Sequence, residues 1–388
     1  MRILLGLAII MFVGIADVSG QQEVSSFPQI RIKITPNQLD NLLLSKGEKM
    51  VLKNPVMMVN QETAVVKEIH SRGNNSLTFE HKSLSVDLEK AVTITLQGKN
   101  NKIKKFDLMN LVMDKNLWHN RWAFLNMAQL NIFPLFNTYC TLWINDQPQG
   151  IYLLVEKPRH YTAGDAKSPY MIRRGAEHNI DDEYIDTEVK EDVKKYKKQF
   201  LSLYEDIKKY NGEELYKRLQ VSLNTEHYFN WMAFNYLIMN GDYMDELYLY
   251  ILPKTGQFDV IPWDYDDILR PVPHEGSKAR NAIPGLKNKL VFSSEDPLDR
   301  AIGSDEYVYK MYEAEFRKLL QALPAESLKA NADQVMSELQ SLSNDAASAR
   351  ASMFLGKEPF KLEEAKEEMN TSITFVISRR NSLQKDLK

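Results

Sequence analysis

Two aspartates flank a predicted β-hairpin at a spacing that would bring their side chains together. Asp242 follows the helix-like run Asn235–Gly241, and Asp264 follows a strand-like run that ends at Trp263. The two strand-like runs between them are joined by the short turn Pro253–Gly256, which predicts antiparallel pairing. Because an antiparallel hairpin returns its outer ends to the same side, we expect Asp242 and Asp264 to meet at the open end.

Carboxylates gathered in this way are suited to phosphoryl transfer. They can bind a divalent cation, Mg²⁺ or Mn²⁺, and leave one acid free as a base. Asp266 and Asp267 follow Asp264 closely, and acids at this spacing repel each other unless a cation or basic side chains neutralise them. We therefore predict that this group of acids, Asp242, Glu246, Asp264 and Asp266, supplies the metal ligands and leaves one acid free as a base. Glu246 lies between Asp242 and Asp264 in sequence and can add a third metal-facing oxygen, as can Asp266. In the alternative interpretation, Asp242 is an ordinary turn residue and Asp264 caps the segment after it.

Three more residues are predicted to bind the phosphate-bearing cofactor. Arg72 opens the run Arg72–Ser76, in which a glycine with short polar neighbours lets backbone N–H groups approach phosphate oxygens. Lys82 begins the next strand and can reach a phosphate, as a strand-borne lysine does in kinases. Glu156 follows the apolar strand Ile151–Val155 and can line a cleft. The alternatives are a plain hairpin turn, a solvated surface lysine and the first exposed residue of a loop.

The order of the predicted elements indicates an α+β fold. Region 21–158 is predicted to be a β-rich N-terminal lobe, with a helix that starts at Thr35–Asp40 and a second helix on which Trp118 and Trp122 share a face. Region 159–388 is predicted to be a helix-rich C-terminal lobe that contains the catalytic hairpin, residues 235–267.

Several individual elements are predicted within these lobes. Gln29–Ile34, Leu84–Leu88 and Val92–Leu96 have the composition and alternation of strands. Residues about 189–220 are charged and show helical periodicity, and Glu226–Asn240 is predicted as a more apolar helix.

The N-terminus has the features of a secretory signal. Arg2 precedes the apolar run Ile3–Ile15, and small residues follow at Val18–Gly20, so residues 1–20 are predicted to be removed. No later segment reaches membrane-spanning length. We therefore expect a secreted or periplasmic protein whose mature chain has no transmembrane segment.

Composition excludes some partners and some means of stabilisation. The formal net charge is −3, which gives no basic footprint for nucleic acid. The single cysteine, Cys140, allows no internal disulfide, so a sizeable core has to hold the chain together. Cys140 itself is predicted to be a small buried hydrophobe.

Taken together, these motifs resemble the spore-coat protein H (CotH) kinase family of exported atypical protein kinases. The matching segments, in chain order, are Ile34–Asp40, which looks like the opening strand and helix; Arg72–Ser76 with Lys82-Ser83, similar to RGNSS…KKS; Leu108–Arg121, similar to LN…D…R; Trp143–Glu156, similar to VNGxxxGxYLLxE; and Trp263–Asp266, similar to WDxD. Each segment is short, but five of them in the right order are specific to the family.

The resemblance implies a protein-kinase-like fold that transfers the γ-phosphoryl group of ATP, with Mg²⁺ or Mn²⁺, to Ser or Thr of a protein substrate. Asp242 matches the family's catalytic aspartate, which orients the substrate hydroxyl, and Asp264 matches its metal-binding aspartate. The chain departs from the family at Glu246, where Asn is usual. A glutamate can ligate Mg²⁺, but it adds negative charge where the triphosphate has to lie.

Two other functions compete with this interpretation. The first is a catalytically weak or inactive kinase-like protein that serves binding or assembly in the cell envelope; Glu246 favours it, and the intact Asp242 and Asp264 oppose it. The second is a haloacid-dehalogenase-type phosphatase, because an apolar strand leads into Asp264–Asp266 as in its DxD motif. That motif expects Thr or Val where Ile268 stands.

Overall fold

A computed structural model describes residues 27–96, 98–175, 179–185 and 193–387; the predicted signal peptide, residues 1–20, lies outside them. The strands are β1 (Gln29–Lys33), β2 (Val51–Leu52), β3 (Val56–Val59), β4 (Glu62–Ala64), β5 (Val66–Arg72), β6 (Ser83–Leu96), β7 (Lys99–Met109), β8 (Asn137–Ile144), β9 (Gln147–Glu156), β10 (Tyr170–Arg174), β11 (Ile180–Ile185), β12 (Leu247–Ile251), β13 (Phe258–Pro262), β14 (Met353–Phe354) and β15 (Glu358–Pro359). The α-helices are α1 (Pro36–Leu44), α2 (His119–Gln129), α3 (Pro158–Gly164), α4 (Val193–Lys209), α5 (Gly212–Ser222), α6 (Thr225–Ile238), α7 (Ser277–Asn281), α8 (Pro297–Ser304), α9 (Glu306–Ala322), α10 (Ala325–Leu342), α11 (Ala346–Ala351) and α12 (Leu362–Asp386).

Two sheets hold most of the strands. In the first, the strand order is β2-β5-β6-β7-β9-β8-β1-β3-β4, and its neighbours pair antiparallel apart from the parallel pair β1–β8. In the second, the order is β11-β10-β12-β13, with antiparallel pairing throughout. The α+β prediction is therefore confirmed. The C-terminal lobe nevertheless carries this second sheet, of which the sequence predicted only the catalytic hairpin.

Local residue preferences explain where the early elements begin and turn. Thr35 caps α1 by accepting a hydrogen bond from the backbone N–H of Gln38 (3.3 Å), and Pro36 occupies the first turn, where no N–H is needed. Asn145 and Asp146 both have positive φ angles (48° and 62°), so β8 and β9 are joined by the tight turn that suits strand twist.

Some predicted boundaries were wrong, and the backbone shows why. The predicted strands Leu84–Leu88 and Val92–Leu96 form one strand, β6, whose register with β7 shifts between Asp87 and Val92. The charged region predicted as one helix over about 189–220 forms two helices, α4 and α5. The helical conformation is interrupted before Gly212, which has a φ of 59°.

The buried side chains form two clusters. One lies beneath the first sheet and includes Cys140, which is fully buried as predicted. The larger one runs from Phe27 through α2 and α6 to Leu387 at the end of the described chain. Among the described residues, no helix combines the length and apolar character needed to cross a bilayer.

Candidate functional site

A cavity of about 600 Å³ lies at the open end of the β12–β13 hairpin. The hairpin has the predicted antiparallel register, and the Trp263 N–H closes its end by donating to the Glu246 carbonyl (2.9 Å). The charged side chains lining the cavity are Asp114, Asp242, Asp245, Glu246, Asp264, Asp266, Asp267, Arg72, Arg173, Arg270 and His274. Asp242 and Asp264 thus face one cavity, as the hairpin geometry predicted.

Asp264 is held in place by a chain of hydrogen bonds that begins on α2. The Asp114 carboxylate accepts from the backbone N–H (2.8 Å) and the side-chain amide (3.0 Å) of Asn120. The Asn120 Oδ1 atom in turn accepts from the Tyr265 N–H (2.7 Å). Asp264 itself has a φ of 40°, a left-handed conformation that costs energy for a residue with a Cβ. The surrounding hydrogen bonds stabilise this conformation and aim the carboxylate into the cavity.

The electrostatic environment of Asp264 suits cation binding. Burial raises its pKa, and the charges of Arg72 and Arg173 oppose that rise. Its Oδ1 atom and the Oε2 atom of Glu246 are both buried without a hydrogen-bond partner. An unpartnered buried carboxylate oxygen is costly unless a cation or another donor satisfies it.

Asp242 lies just beyond the end of α6 and is more open to solvent. Met239 adopts a left-handed conformation (φ 52°) that ends α6 earlier than the predicted Asn240, and the Asn240 side chain accepts from the Asp242 N–H (3.2 Å). The Asp242 carboxylate is about half exposed, at 47%. Burial and the charge of Asp245 raise the pKa of Asp242, while His274 lowers it. A partly solvated carboxylate with a moderately raised pKa can accept a hydrogen bond from an incoming hydroxyl group.

Glu246 has a partner that the sequence analysis did not predict. The Arg173 guanidinium on β10 lies 2.7 Å from one Glu246 carboxylate oxygen. Burial and the charge of Asp264 raise the pKa of Glu246 to about 8. Glu246 therefore has one oxygen left for a metal ion, and its role as a metal ligand stays a prediction.

The predicted phosphate loop lines the cavity. Gly73 has a φ of 97°, and a Cβ at this position would lie 1.9 Å from the Ser76 Oγ atom, so only glycine fits. The Arg72 Nε atom lies 3.3 Å from an Asp107 oxygen, and its guanidinium stacks over Trp263 at 5.7 Å. Burial opposes charge on Arg72, but Asp107 and other nearby acids raise its pKa, so the guanidinium remains a fixed cation at the cavity wall.

The structure does not bring Lys82 and Glu156 to the cavity. The Lys82 Nζ atom is buried and donates to the carbonyls of Ser45 (2.6 Å) and Leu77 (2.7 Å). Glu156 accepts from the Phe136 N–H (3.3 Å) and pairs with His160. Neither residue lines the cavity, so the predicted contacts with a cofactor are corrected to structural roles just before β6 and at the end of β9.

Asp266 lines the cavity beside Asp264, as predicted. Burial and the charge of Asp264 raise its pKa to about 9, and its backbone carbonyl lies 3.1 Å from the His119 Nδ1 atom. A carboxyl group in this environment holds its proton near neutral pH, and a bound cation would favour the ionised form.

Arg173 and His274 supply much of the positive charge at the cavity, and neither was predicted from the sequence. Arg173 lies on a strand that was not predicted; the only sequence signal is the apolar run Tyr170–Ile172 that precedes it. His274 lies in an irregular stretch rich in Pro and Gly, where single residues carry no periodic signal. Asn120 was also missed, because its role depends on a hydrogen bond to a distant part of the chain.

The donor set fits a hard divalent cation, although the protein does not form a complete cage. Among the described residues, no group of three or more His, Cys, Asp or Glu side chains is close enough to enclose a metal ion. Mg²⁺ commonly uses one or two carboxylates together with phosphate oxygens and water, so a complete cage is not required. The unpartnered oxygens of Asp264 and Glu246 are of the type that Mg²⁺ prefers.

A comparison with protein-family models agrees with the family resemblance. A family model described as CotH kinase protein matches residues 69–383. Among solved structures, the Helicobacter pylori proinflammatory kinase CtkA matches with 11% identity and a TM-score of 0.35, covering 76% of this chain and 94% of that one. A HipA–HipB–operator DNA complex from Shewanella oneidensis matches with 11% identity and a TM-score of 0.27, covering 76% and 66%. No curated protein matches the chain significantly.

Proposed function

The chain belongs to the CotH kinase protein family, and on this basis we propose that it transfers the γ-phosphoryl group of ATP to Ser or Thr of a protein substrate. The observation that carries the proposal is the meeting of Asp242 and Asp264 in one cavity that also holds Arg72 and Arg173. Two acids and two fixed cations around a space large enough for a triphosphate are the parts that phosphoryl transfer needs. Family membership leaves the dehalogenase-type phosphatase without support.

Each residue has a distinct part in the proposed reaction. Asp242 accepts a hydrogen bond from the substrate hydroxyl and aligns it with the γ-phosphorus atom. Arg72 and Arg173 contact phosphate oxygens and offset their charge. Asp264 is the principal ligand of Mg²⁺ or Mn²⁺, with Asp266 and one oxygen of Glu246 beside it. The cation, when bound, neutralises phosphate charge and fixes the triphosphate.

The remainder of the site serves alignment. The Gly73 turn brings backbone N–H groups to the cavity wall, where the phosphates would lie. The hydrogen bonds from Asp114 through Asn120 hold Asp264 before any ligand arrives. Because the transition state of phosphoryl transfer is loose, alignment and charge supply most of the rate.

The test of the proposal is phosphoryl transfer by the mature chain. Protein beginning at Gln21 is incubated with γ-labelled ATP, Mg²⁺ or Mn²⁺, and a Ser/Thr-rich polypeptide, and autophosphorylation also counts as transfer. We expect Asp242→Asn and Asp264→Asn each to reduce the rate about a hundredfold or more, while the melting temperature stays close to that of the parent. Full activity in either variant would contradict the assignment.

A binding or assembly protein without turnover is the second candidate, and the carboxylate of Glu246 is the observation that favours it. The two candidates differ in their response to Mg²⁺ and ATP. A kinase shows a thermal shift with Mg²⁺ and ATP together, and the shift is lost in Asp264→Asn. A binding protein that has lost the nucleotide site shows no shift with either.

The proposed location is the periplasm or the cell exterior, and it is carried by the N-terminal sequence signal. Fractionation of cells that express the full chain tests it, together with N-terminal sequencing of the product. We expect an exported protein that begins near Gln21. Retention of residues 1–20 on a cytoplasmic product would contradict this proposal and leave the proposed reaction untouched.

A further inference from the structure

His274 stands between two acidic side chains at the mouth of the cavity. Its Nε2 atom lies 2.9 Å from an Asp267 carboxylate oxygen, within hydrogen-bond distance. Its Nδ1 atom lies 3.8 Å from an Asp242 carboxylate oxygen, within ion-pair distance. Only the protonated imidazolium has a proton on both ring nitrogens, so it is the form that can interact with both carboxylates as a donor at the same time.

The other members of this arrangement are fixed by the backbone. The Gly241 N–H donates to the Asp267 carbonyl (3.0 Å), and Arg270 pairs with the Asp267 carboxylate. A Cβ on Gly241 would lie 2.6 Å from an Asp267 carboxylate oxygen, so the two segments pack too closely for any larger residue. Asp267 is thereby a rigid anchor for the imidazole ring.

The segment that carries His274 is also tied down. The neighbouring Glu275 accepts hydrogen bonds from the side chains of Ser294 (2.8 Å) and Ser293 (3.2 Å). Further along, the Arg280 guanidinium donates to the carbonyls of Lys289 (2.6 Å) and Val291 (2.8 Å). An irregular stretch that is anchored at these two positions after His274 can hold the His274 ring in a fixed place.

Asp242 itself has few constraints on its carboxylate. Its N–H is bound by Asn240, but His274 is the one cation within ion-pair distance of its side chain in the described part of the chain. The charged groups around His274 are Asp267, Asp242 and Glu295. Burial works against the charged ring, yet these three acids raise the pKa of His274 above that of a free imidazole.

From this geometry we infer that His274 is a positioning residue that, in its protonated form, orients the Asp242 carboxylate toward the substrate hydroxyl. The inference rests on the proposed function. His274 does not touch the reacting atoms; it sets the direction and the charge state of the residue that does. A misaligned base slows a reaction of this kind even when both substrates bind normally.

The test compares kcat and KM for Mg²⁺-ATP across a range of pH. We expect His274→Ala to lower kcat about ten- to a hundredfold with little change in the KM for ATP. The acidic limb of the kcat profile moves to higher pH, because the pKa of Asp242 rises when the neighbouring cation is lost. His274→Gln keeps a hydrogen-bond donor without the charge, so its kcat should lie between those of His274→Ala and the parent. The basic limb of its kcat profile, which comes from loss of the imidazolium proton, should be absent.

The matched control is His227→Gln. His227 also pairs with an aspartate, Asp259, at 2.8 Å, but it lies outside the cavity lining. This variant should keep the kcat and the pH profile of the parent. An unchanged kcat and pH profile in His274→Ala would overturn the inference and leave the proposed function standing.

A second measurement separates this inference from the proposed function. The ring protons of His274 are titrated by NMR in the parent and in Asp242→Asn. A lower His274 pKa in the variant shows that the two side chains form a pair in solution, whether or not the protein transfers phosphate. Equal pKa values in the two proteins would overturn the pairing. If the two side chains are shown to pair but the parent protein does not transfer phosphate, the proposed function is overturned, and the positioning role of His274 in the reaction with it.

Discussion

At the scale of single residues, the site offsets the negative charge of Glu246 with a cation from another strand. Arg173 on β10 lies 2.7 Å from the Glu246 carboxylate. An unpaired glutamate beside Asp264 would repel a triphosphate, whereas a paired one is largely neutralised. We therefore regard Glu246 and Arg173 as one unit, in which the arginine is shared between the glutamate and the phosphates.

This view predicts opposite effects of the two single substitutions on ATP binding. Arg173→Gln leaves Glu246 unpaired, so the Kd for Mg²⁺-ATP should rise about tenfold or more. Glu246→Gln frees the arginine for phosphate and keeps a neutral side-chain oxygen for the cation, so the Kd should fall by roughly threefold to tenfold. Isothermal titration calorimetry measures both values, and the double variant gives the coupling between the residues.

The matched control for this pair is Arg159→Gln. Arg159 lies over the Tyr184 ring at 4.5 Å and does not line the cavity, so its loss should leave the Kd unchanged. Equal Kd values for Arg173→Gln and the parent would exclude Arg173 from the nucleotide site.

Asp242, Asp264 and Arg72 line the cavity, and their positions follow from local patterns. A short turn fixes the pairing of the strands between Asp242 and Asp264, and a glycine follows Arg72 directly. Their chemical roles stay predictions. Lys82 and Glu156 were placed wrongly at the site, because a residue at the end of a strand can point to either side of the sheet and the sequence does not say which.

At the scale of elements, β10 was the most important omission. Its run Tyr170–Ile172 is short and uniformly apolar, and such a run cannot be assigned to helix or strand by periodicity alone. Pairing with β12 makes it a strand, and β12 is more than seventy residues further along the chain. Long-range pairing of this kind leaves no local trace, so the residues that β10 carries to the site could not be foreseen.

The same strand carries a buried charge that joins it to two other elements. The Arg174 guanidinium lies 3.6 Å from Asp296 and 3.4 Å from Asp299, and all three side chains are almost completely buried. Its Nε atom donates to the carbonyl of Met244 (2.7 Å), in the segment that carries Asp242. Arg174 therefore links β10 to α8 and to the segment before β12 that carries Asp242 and Met244.

We expect Arg174→Met to lower the free energy of unfolding by about 3–5 kcal/mol, because it leaves two buried carboxylates without a cation. Urea denaturation followed by far-UV circular dichroism measures the change. The control is Arg218→Met on α5, whose pair with Glu214 is exposed and screened by solvent, so its loss should change stability little. Equal effects of the two substitutions would show that the buried network contributes nothing of its own.

At the scale of the whole molecule, the larger cluster of buried side chains spans both predicted lobes, while the smaller cluster lies within the N-terminal lobe. The larger cluster of buried side chains includes Phe27 and Val155 from the N-terminal lobe as well as Leu387 at the far end. Helix α2 contributes to the packing between the two lobes. The Arg121 guanidinium donates to both carboxylate oxygens of Glu338 on α10 (2.8 Å each), and Trp118 donates to Glu368 on α12 (2.6 Å). The predicted boundary near residue 158 therefore divides the sequence, but the larger cluster of buried side chains extends across it.

Because the larger cluster of buried side chains spans both lobes, we predict that the polypeptide 21–158 does not fold alone. Without the C-terminal lobe, Arg121 loses its buried partner and the apolar face of α2 is exposed to water, so the strands lose the surface on which they pack. An amide ¹H–¹⁵N spectrum should show poor dispersion for 21–158 and good dispersion for 21–388. Co-expression of 21–158 with 159–388 is the control, and the complex should recover both dispersion and cooperative melting. A well-dispersed spectrum from 21–158 alone would establish it as an independent domain.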